Sequence, residues 1–150
     1  MKIMELQANE KVPYDLLLSA DPSKDMIDEY IDRGTCYVLK DEDKIVGEMI
    51  LLEIKRGEME IMNIAIDEDH KGKGYGRLLI EKAIHEAKEK KMEKLEFSTS
   101  NSAVDQLALF QKCGLRIVGV EADFFTNTYK DEVYENGILR QDMIRLEMVF

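Results

Sequence analysis

The chain has 150 residues, of which 45% are hydrophobic, and its 21 Lys and Arg against 31 Asp and Glu leave a formal net charge of −10. That length fits one domain, spanning residues 1–150, with a core large enough to stand without disulfides or a bound metal. Nine glycines and two prolines exclude collagen-like and low-complexity chains, and the acidic balance excludes nucleic acid and anionic membrane as natural partners, because both are held through Lys and Arg.

The first residues, Met1 to Gln7, turn polar at once, and no apolar run approaches the ~20 residues of a membrane helix. A cytoplasmic location is the expectation. Cys36 and Cys113 lie in apolar contexts without Cys-x-x-Cys spacing and read as buried thiols of a reducing compartment. His70 and His85 are too scattered to propose a metal site.

In chain order, Lys2 to Gln7 reads as a short strand, and Val12 to Ala20 carries the apolar run Leu16–Leu18. Asp21 followed by Pro22 reads as an N-cap and first helical residue, opening a helix through Met26, Ile27, Tyr30 and Ile31 that Gly34 ends. Three strands follow, Thr35–Lys40, Ile45–Lys55 and Glu60–Ile66, joined by the turns Asp41–Lys44 and Arg56–Glu58. Two tight turns in succession imply an antiparallel meander. Gly74 to Lys91 is a long helical pattern, Leu95–Ser100 a strand, Ala103–Lys112 a helix broken by Gly114, and Leu115–Val120 a strand. Met143–Phe150 alternates as a last strand. A strand, a long helix and a further strand imply a right-handed parallel crossover, so the sheet should be mixed.

The chemistry is concentrated where the isoleucine-rich strand meets that long helix, in Lys71-Gly72-Lys73-Gly74-Tyr75-Gly76-Arg77. Amides at a helix start lack intrahelical partners and the helix dipole adds about half a positive charge, which makes a phosphate site. Alternating glycines let the backbone close on the anion, and Lys71, Lys73 and Arg77 add cations. A P-loop needs Gly-x-x-x-x-Gly-Lys-Ser/Thr, which is lacking. A dinucleotide loop needs Gly-x-Gly-x-x-Gly, and here the spacing is Gly-x-Gly-x-Gly, with Glu96 falling mid-strand where an acidic ribose ligand would be wanted.

The segment does resemble motif A of the GNAT superfamily of acyl-CoA-dependent N-acetyltransferases, Arg/Gln-x-x-Gly-x-Gly/Ala, with Lys71 in place of the first Arg or Gln. Asn101, followed by Leu109-Phe110-Gln111-Lys112-Cys113-Gly114-Leu115, resembles motif B. The resemblance implies an α/β fold: a mixed, mostly antiparallel sheet flanked by helices on both faces, splayed between the strand ending at Ile66 and the one starting at Leu95. It also implies acetyl-CoA as co-substrate, with its pyrophosphate on the amides of Gly72 to Gly76 beside Lys71, Lys73, Tyr75 and Arg77. The pantetheine would run along Asn63, Ile64, Ala65 and Ile66, an amide near Ile64 would polarise the thioester carbonyl, and Asn101 and Phe110 would touch the cofactor arm. No metal is implied.

Further roles follow from the same resemblance. Glu60, four residues before Ile64, stands where some members carry the general base that a protonated amine requires. The motif B tyrosine that protonates the departing thiolate is replaced by Phe110, which leaves water, Tyr129 or Tyr134 for that role. Asn101 reads equally as a turn or cap residue, Phe110 equally as core, and Cys113, with no His nearby in sequence, as core rather than a nucleophile. The aromatic-rich acidic segment Val120–Gly137 suits a small-molecule or peptide amine as acceptor, or else forms a solvated loop or homodimer contact. Direct acetyl transfer to a primary amine, with a small molecule favoured over a protein, is therefore the expectation, and a non-catalytic acyl-CoA sensor is the alternative.

Overall fold

The computed structural model describes residues 1–150. After β1 (Lys2–Glu5) come two short helices, α1 (Tyr14–Ala20) and α2 (Lys24–Arg33). The Leu16–Leu18 run belongs to α1, and Leu17 is its buried residue. The start of α2 differs from the sequence expectation. Ser23 is the cap, its hydroxyl accepting the Met26 N–H at 3.2 Å. Asp21 is engaged elsewhere, accepting the Ser23 N–H at 3.1 Å and the Tyr30 hydroxyl at 3.0 Å, so Pro22 stays outside the helix. Gly34 ends α2 for a reason other than a left-handed turn: its φ is −106°, and a Cβ there would sit 2.5 Å from the Leu51 carbonyl oxygen.

The meander is as expected: β2 (Thr35–Asp41), β3 (Lys44–Lys55) and β4 (Glu58–Ile66) pair antiparallel in succession. Next come α3 (Tyr75–Glu89), β5 (Lys94–Ser100), α4 (Val104–Lys112), β6 (Arg116–Glu121) and α5 (Phe124–Thr128). A small hairpin, β7 (Tyr134–Glu135) and β8 (Ile138–Leu139), precedes β9 (Met143–Val149). Its turn is Asn136-Gly137, both at positive φ (55° and 75°), the pair favoured where a two-residue turn needs left-handed backbone. The main sheet runs β1-β2-β3-β4-β5-β9-β6, and β4–β5 is its one parallel pair. This is the mixed, mostly antiparallel sheet expected from the sequence.

Helices cover the two faces unequally. α1 and α2 pack on β2, β3 and β4, burying Leu17, Ile27, Tyr30, Val38, Ile50 and Leu52. α3 and α4 close the opposite face over Met49, Met59, Ile61, Leu95, Phe97 and Leu146, with Leu79, Ile80, Ala83 and Phe110 from the helices. Gly76 permits the close approach of α3 to α4, since a Cβ there would lie 3.0 Å from Leu109 Cδ2.

The feature that positions the site is the short run of β4–β5 pairing. It extends from Glu58–Lys94 only to Ile61–Phe97. From Met62 to Ile66, β4 is bonded to β3 alone, so a cleft opens between β4 and β5. A bulge lies at that point: Leu51 faces Ile61 and Ile50 faces Asn63, leaving Met62 as the extra residue. The bulge resets the alternation, so that Glu60 and Asn63, three residues apart, both point to the α1–α2 face.

Candidate functional site

The glycine loop builds the first part of the site. A short 3-10 turn, Glu68–His70, leads from β4 to Gly74, the N-cap of α3. Gly72 and Gly74 sit at φ +79° and +82°, and nothing lies within 4 Å of a Cβ built at either. The left-handed backbone and the open space above it are what an anion needs to reach the amides. No side chain caps α3, so its first N–H groups are free for a ligand. Of the three cations, Lys71 pairs with Glu68 at 2.8 Å and Arg77 with Glu81 at 2.9 Å, whereas Lys73 makes no ion pair. Tyr75 stacks at 6.5 Å on His70, which is held by Asp67 at 2.7 Å. That contact keeps the Asp67 carboxyl below the usual carboxylate range. A separate hollow of about 810 Å³ adjoins the loop, lined by Lys11, Tyr14, Asp15, Ile66, Asp67 and Lys71 and by no residue of β5.

The free edge of β4 supplies the second part. Ile64 is buried and Ala65 and Ile66 are half-buried, and their backbone faces the cleft with no strand opposite. Asn63 is buried below, its side-chain amide donating to the Leu17 carbonyl at 3.1 Å and the Tyr30 hydroxyl at 2.9 Å. Its side chain therefore ties α1 and α2 to the bulge.

The third part lies at the apex of the cleft. Glu60 of β4 stands opposite Glu96 of β5 in the parallel register, one pair before the strands separate. Burial first, and then the Glu96 charge, push the Glu60 carboxyl up to about 7, against a smaller opposing effect of Arg145. Glu96 is 7% exposed. Its Oε1 lies 3.2 Å from Lys94 Nζ and 4.0 Å from Arg145 Nη2, while Oε2 is buried without a partner. Lys94 also reaches Glu58 at 3.0 Å and Glu147 at 3.3 Å, and these three carboxylates hold its ammonium well above the usual lysine range. A carboxyl that titrates near neutrality beside an opening cleft has the properties of a proton acceptor.

The motif B residues are placed differently from one another. Asn101 spends its whole side chain inside the chain: the amide donates to the Leu139 carbonyl at 3.0 Å, and the oxygen accepts from Gln141 N at 3.0 Å and Asp142 N at 2.9 Å. Phe110 is 1% exposed and lies flat on Phe97. Cys113 is partly buried and Cys36 buried, both as free thiols, with desolvation raising Cys113 and pushing Cys36 up to about 12. Tyr129 stacks on Phe125 at 6.2 Å with Arg140 over both rings, and Tyr134, 62% exposed, bonds Glu132 at 3.3 Å. Neither tyrosine hydroxyl bonds a residue of the apex.

Two buried carboxylates escape a reading of the sequence. Glu96 suggests only a misplaced ribose ligand there, and its position opposite Glu60 becomes visible once the strand register is known. Glu48 is fully buried on β3 under α1 and α2, and both its carboxylate oxygens lack partners. Desolvation raises it well above the usual carboxylate range. Alternation along β3, which puts position 48 on a buried face, is the only signal the sequence offers for it.

Comparison with known proteins agrees with this geometry. The model of the Acetyltransferase (GNAT) family matches residues 3–115. The uncharacterized N-acetyltransferase YvbK of Bacillus subtilis (strain 168) is 46% identical over 133 residues, covering 89% of this chain and 86% of that one. An IAA acetyltransferase from Bacillus cereus ATCC 14579 superposes with a TM-score of 0.93 at 46% identity, covering 99% of both chains. A GNAT family acetyltransferase from Elizabethkingia anophelis with acetyl-CoA bound superposes with a TM-score of 0.95 at 40% identity, covering 99% of this chain and 97% of its own. The strand–glycine loop–helix unit, the splayed parallel pair and these relatives agree, and the chain belongs to the GNAT family of acetyl-CoA-dependent N-acetyltransferases.

Proposed function

We propose that this enzyme acetylates the primary amine of a small molecule by direct attack, within one catalytic unit spanning residues 1–150. The observation that carries the reading is Glu60, a carboxyl pushed up to about 7 at the apex of the cleft. A lysine-like amine is mostly protonated at neutral pH, and a carboxylate titrating near 7 accepts its proton far more readily than an ordinary one.

The residues present fit acetyl-CoA. The open amides of Gly72 and Gly74, with the free cation of Lys73, would hold its pyrophosphate, and the unpaired edge of β4 from Asn63 to Ile66 would hold its pantetheine as an added strand. When bound it supplies a thioester, whose C–S bond breaks as the amine forms the C–N bond. An amide near Ile64, beside the bulge, is the donor we assign to the thioester carbonyl. The incoming ammonium loses one proton to Glu60, which returns it to solvent. The second N–H proton goes to the departing sulfur, directly or through water, since Phe110 has none to give.

The acidic segment Val120–Gly137 supports a cationic acceptor, and Asn136, donating to the Ser102 carbonyl at 2.9 Å, ties its hairpin turn to the segment before α4. No helix is long and apolar enough to cross a membrane, and the two free thiols support a cytoplasmic setting. Exposed Ile117, Val118 and Val120 on the edge strand β6 support a homodimer.

Calorimetric titration with acetyl-CoA, followed by CoA release with spermidine, an aminoglycoside and a lysine peptide, tests this reading. Binding with turnover on a small amine is the expected result. Turnover on the peptide alone would overturn the acceptor class, and binding without turnover on any amine would overturn Glu60 as the working base.

A further inference from the structure

The Glu60–Glu96 apex holds more carboxylate than its cations satisfy. On the α1–α2 side of the sheet, β4 contributes Glu58 and Glu60, β5 contributes Lys94 and Glu96, and β9 contributes Arg145 and Glu147, paired in register across the three strands. Lys94 is shared among Glu58, Glu96 and Glu147, and Lys55 lies 3.7 Å from Glu58. Arg116 of β6 stands opposite Glu147. From β3 the neighbour of Glu60 is the apolar Leu52. Lys94 and Lys55 are thus engaged on the Glu58, Glu147 or Oε1 side, and half-exposed Arg145, 4.0 Å from Oε1, acts on Glu60 only through its charge. Two acceptors are left over: the Glu60 carboxyl, with no side-chain partner, and Glu96 Oε2, buried with none. A buried carboxylate oxygen without a donor is costly, so its retention beside the cleft calls for a ligand that donates.

We propose that Glu96 is a second carboxylate of the acceptor site, receiving an N–H of the acceptor's primary ammonium at Oε2 while Glu60 takes its proton. This assignment rests on the reading of Glu60 as proton acceptor. It has the acceptor enter as an ammonium ion that offers one N–H to each carboxyl. It also makes Glu96 a positioning residue. With only 9% of its side chain exposed, its charge opposes ionisation of Glu60 until an ammonium arrives to neutralise both.

The test is carboxyl-carbon NMR of the full-length protein labelled at glutamate, titrated with n-butylamine and, as control, n-butanol. In the wild-type protein the amine should move the Glu96 and Glu60 carboxyl resonances, and the alcohol should not. In Glu96→Gln the Glu60 midpoint should fall part of the way from about 7, the larger effect of burial remaining, and the amine-induced shift at Glu60 should be lost. An unchanged Glu60 midpoint in Glu96→Gln overturns the proposal, as does a Glu96 resonance indifferent to n-butylamine in the wild-type chain, a reading that needs no variant. Full turnover by Glu60→Gln, with the Glu96 shift intact, would remove Glu60 as base and leave amine recognition by Glu96 standing.

Discussion

Phe110 of α4 lies face to face with Phe97 of β5, the ring centroids 3.9 Å apart and the planes 5° from parallel. The pair joins the helix to the strand that forms one wall of the cleft, with both rings in the core under α3 and α4. At the position where the motif B resemblance implies a tyrosine, this chain uses its aromatic ring for packing. Phe110→Ala should therefore lower stability by ~3–5 kcal/mol. Urea unfolding with an unchanged slope is the check, and a loss under about 1 kcal/mol would contradict the core role.

The glycines of the loop separate into two kinds. Gly74→Leu places a side chain in left-handed backbone, in the open space above the amides, and should weaken acetyl-CoA binding at least tenfold, read by calorimetry, with a stability loss of only ~1–2 kcal/mol. Gly76→Leu meets Leu109 and should act mainly on the melting temperature, by separating α3 from α4. Equal effects of the two on binding and on melting would refute the division.

Glu60→Gln removes the proposed proton acceptor without changing shape. Turnover should fall by ~10²–10⁴, and the acid limb of the pH–rate profile, centred near 7 in the wild-type enzyme, should disappear. Acetyl-CoA affinity should hold. A variant that keeps the acid limb would assign it to another group.

Glu48 makes stability depend on pH. Its folded-state carboxyl is raised by burial, so the unfolded chain loses this proton at lower pH than the native one. The contribution is complete below the unfolded value of 4.5 and is lost as pH rises through the folded value. Glu60 acts in the same direction, with its loss centred between 4.5 and about 7. Glu48→Gln should therefore melt higher than the wild-type protein at about pH 8, and the gap should close at about pH 4. Calorimetric scans at both values settle the sign.

Asn101 anchors residues 139–142 through three hydrogen bonds. Asn101→Ala should expose the Gln141 and Asp142 amides to faster hydrogen exchange and raise the acceptor KM, leaving acetyl-CoA affinity within about threefold, because one lost bond set of ~1–3 kcal/mol loosens only the hairpin side. Weakening confined to acetyl-CoA would instead place Asn101 on the cofactor.

What could be read from the chain itself was local. Isoleucine-rich alternation marks β4, tight turns mark the meander, and Gly72 and Gly74 mark a left-handed loop before a helix; each is a property of consecutive residues, and the last points to the proposed phosphate site. Glu60 was legible only through the resemblance to the GNAT family. The tertiary structure decided the rest, because it depends on which strands lie side by side. The register of β4 on β5 places Glu96 against Glu60, and the bulge at Met62 turns Asn63 onto the same face. Packing consumed Asn101 and Phe110, and the Asp21–Tyr30 bond moved the start of α2 to Ser23. Charges and hydrogen bonds between residues far apart in the chain, such as Glu60 with Glu96 or Asn101 with Leu139, leave no periodic trace in a sequence, and the proposed acceptor end of this site is built from them.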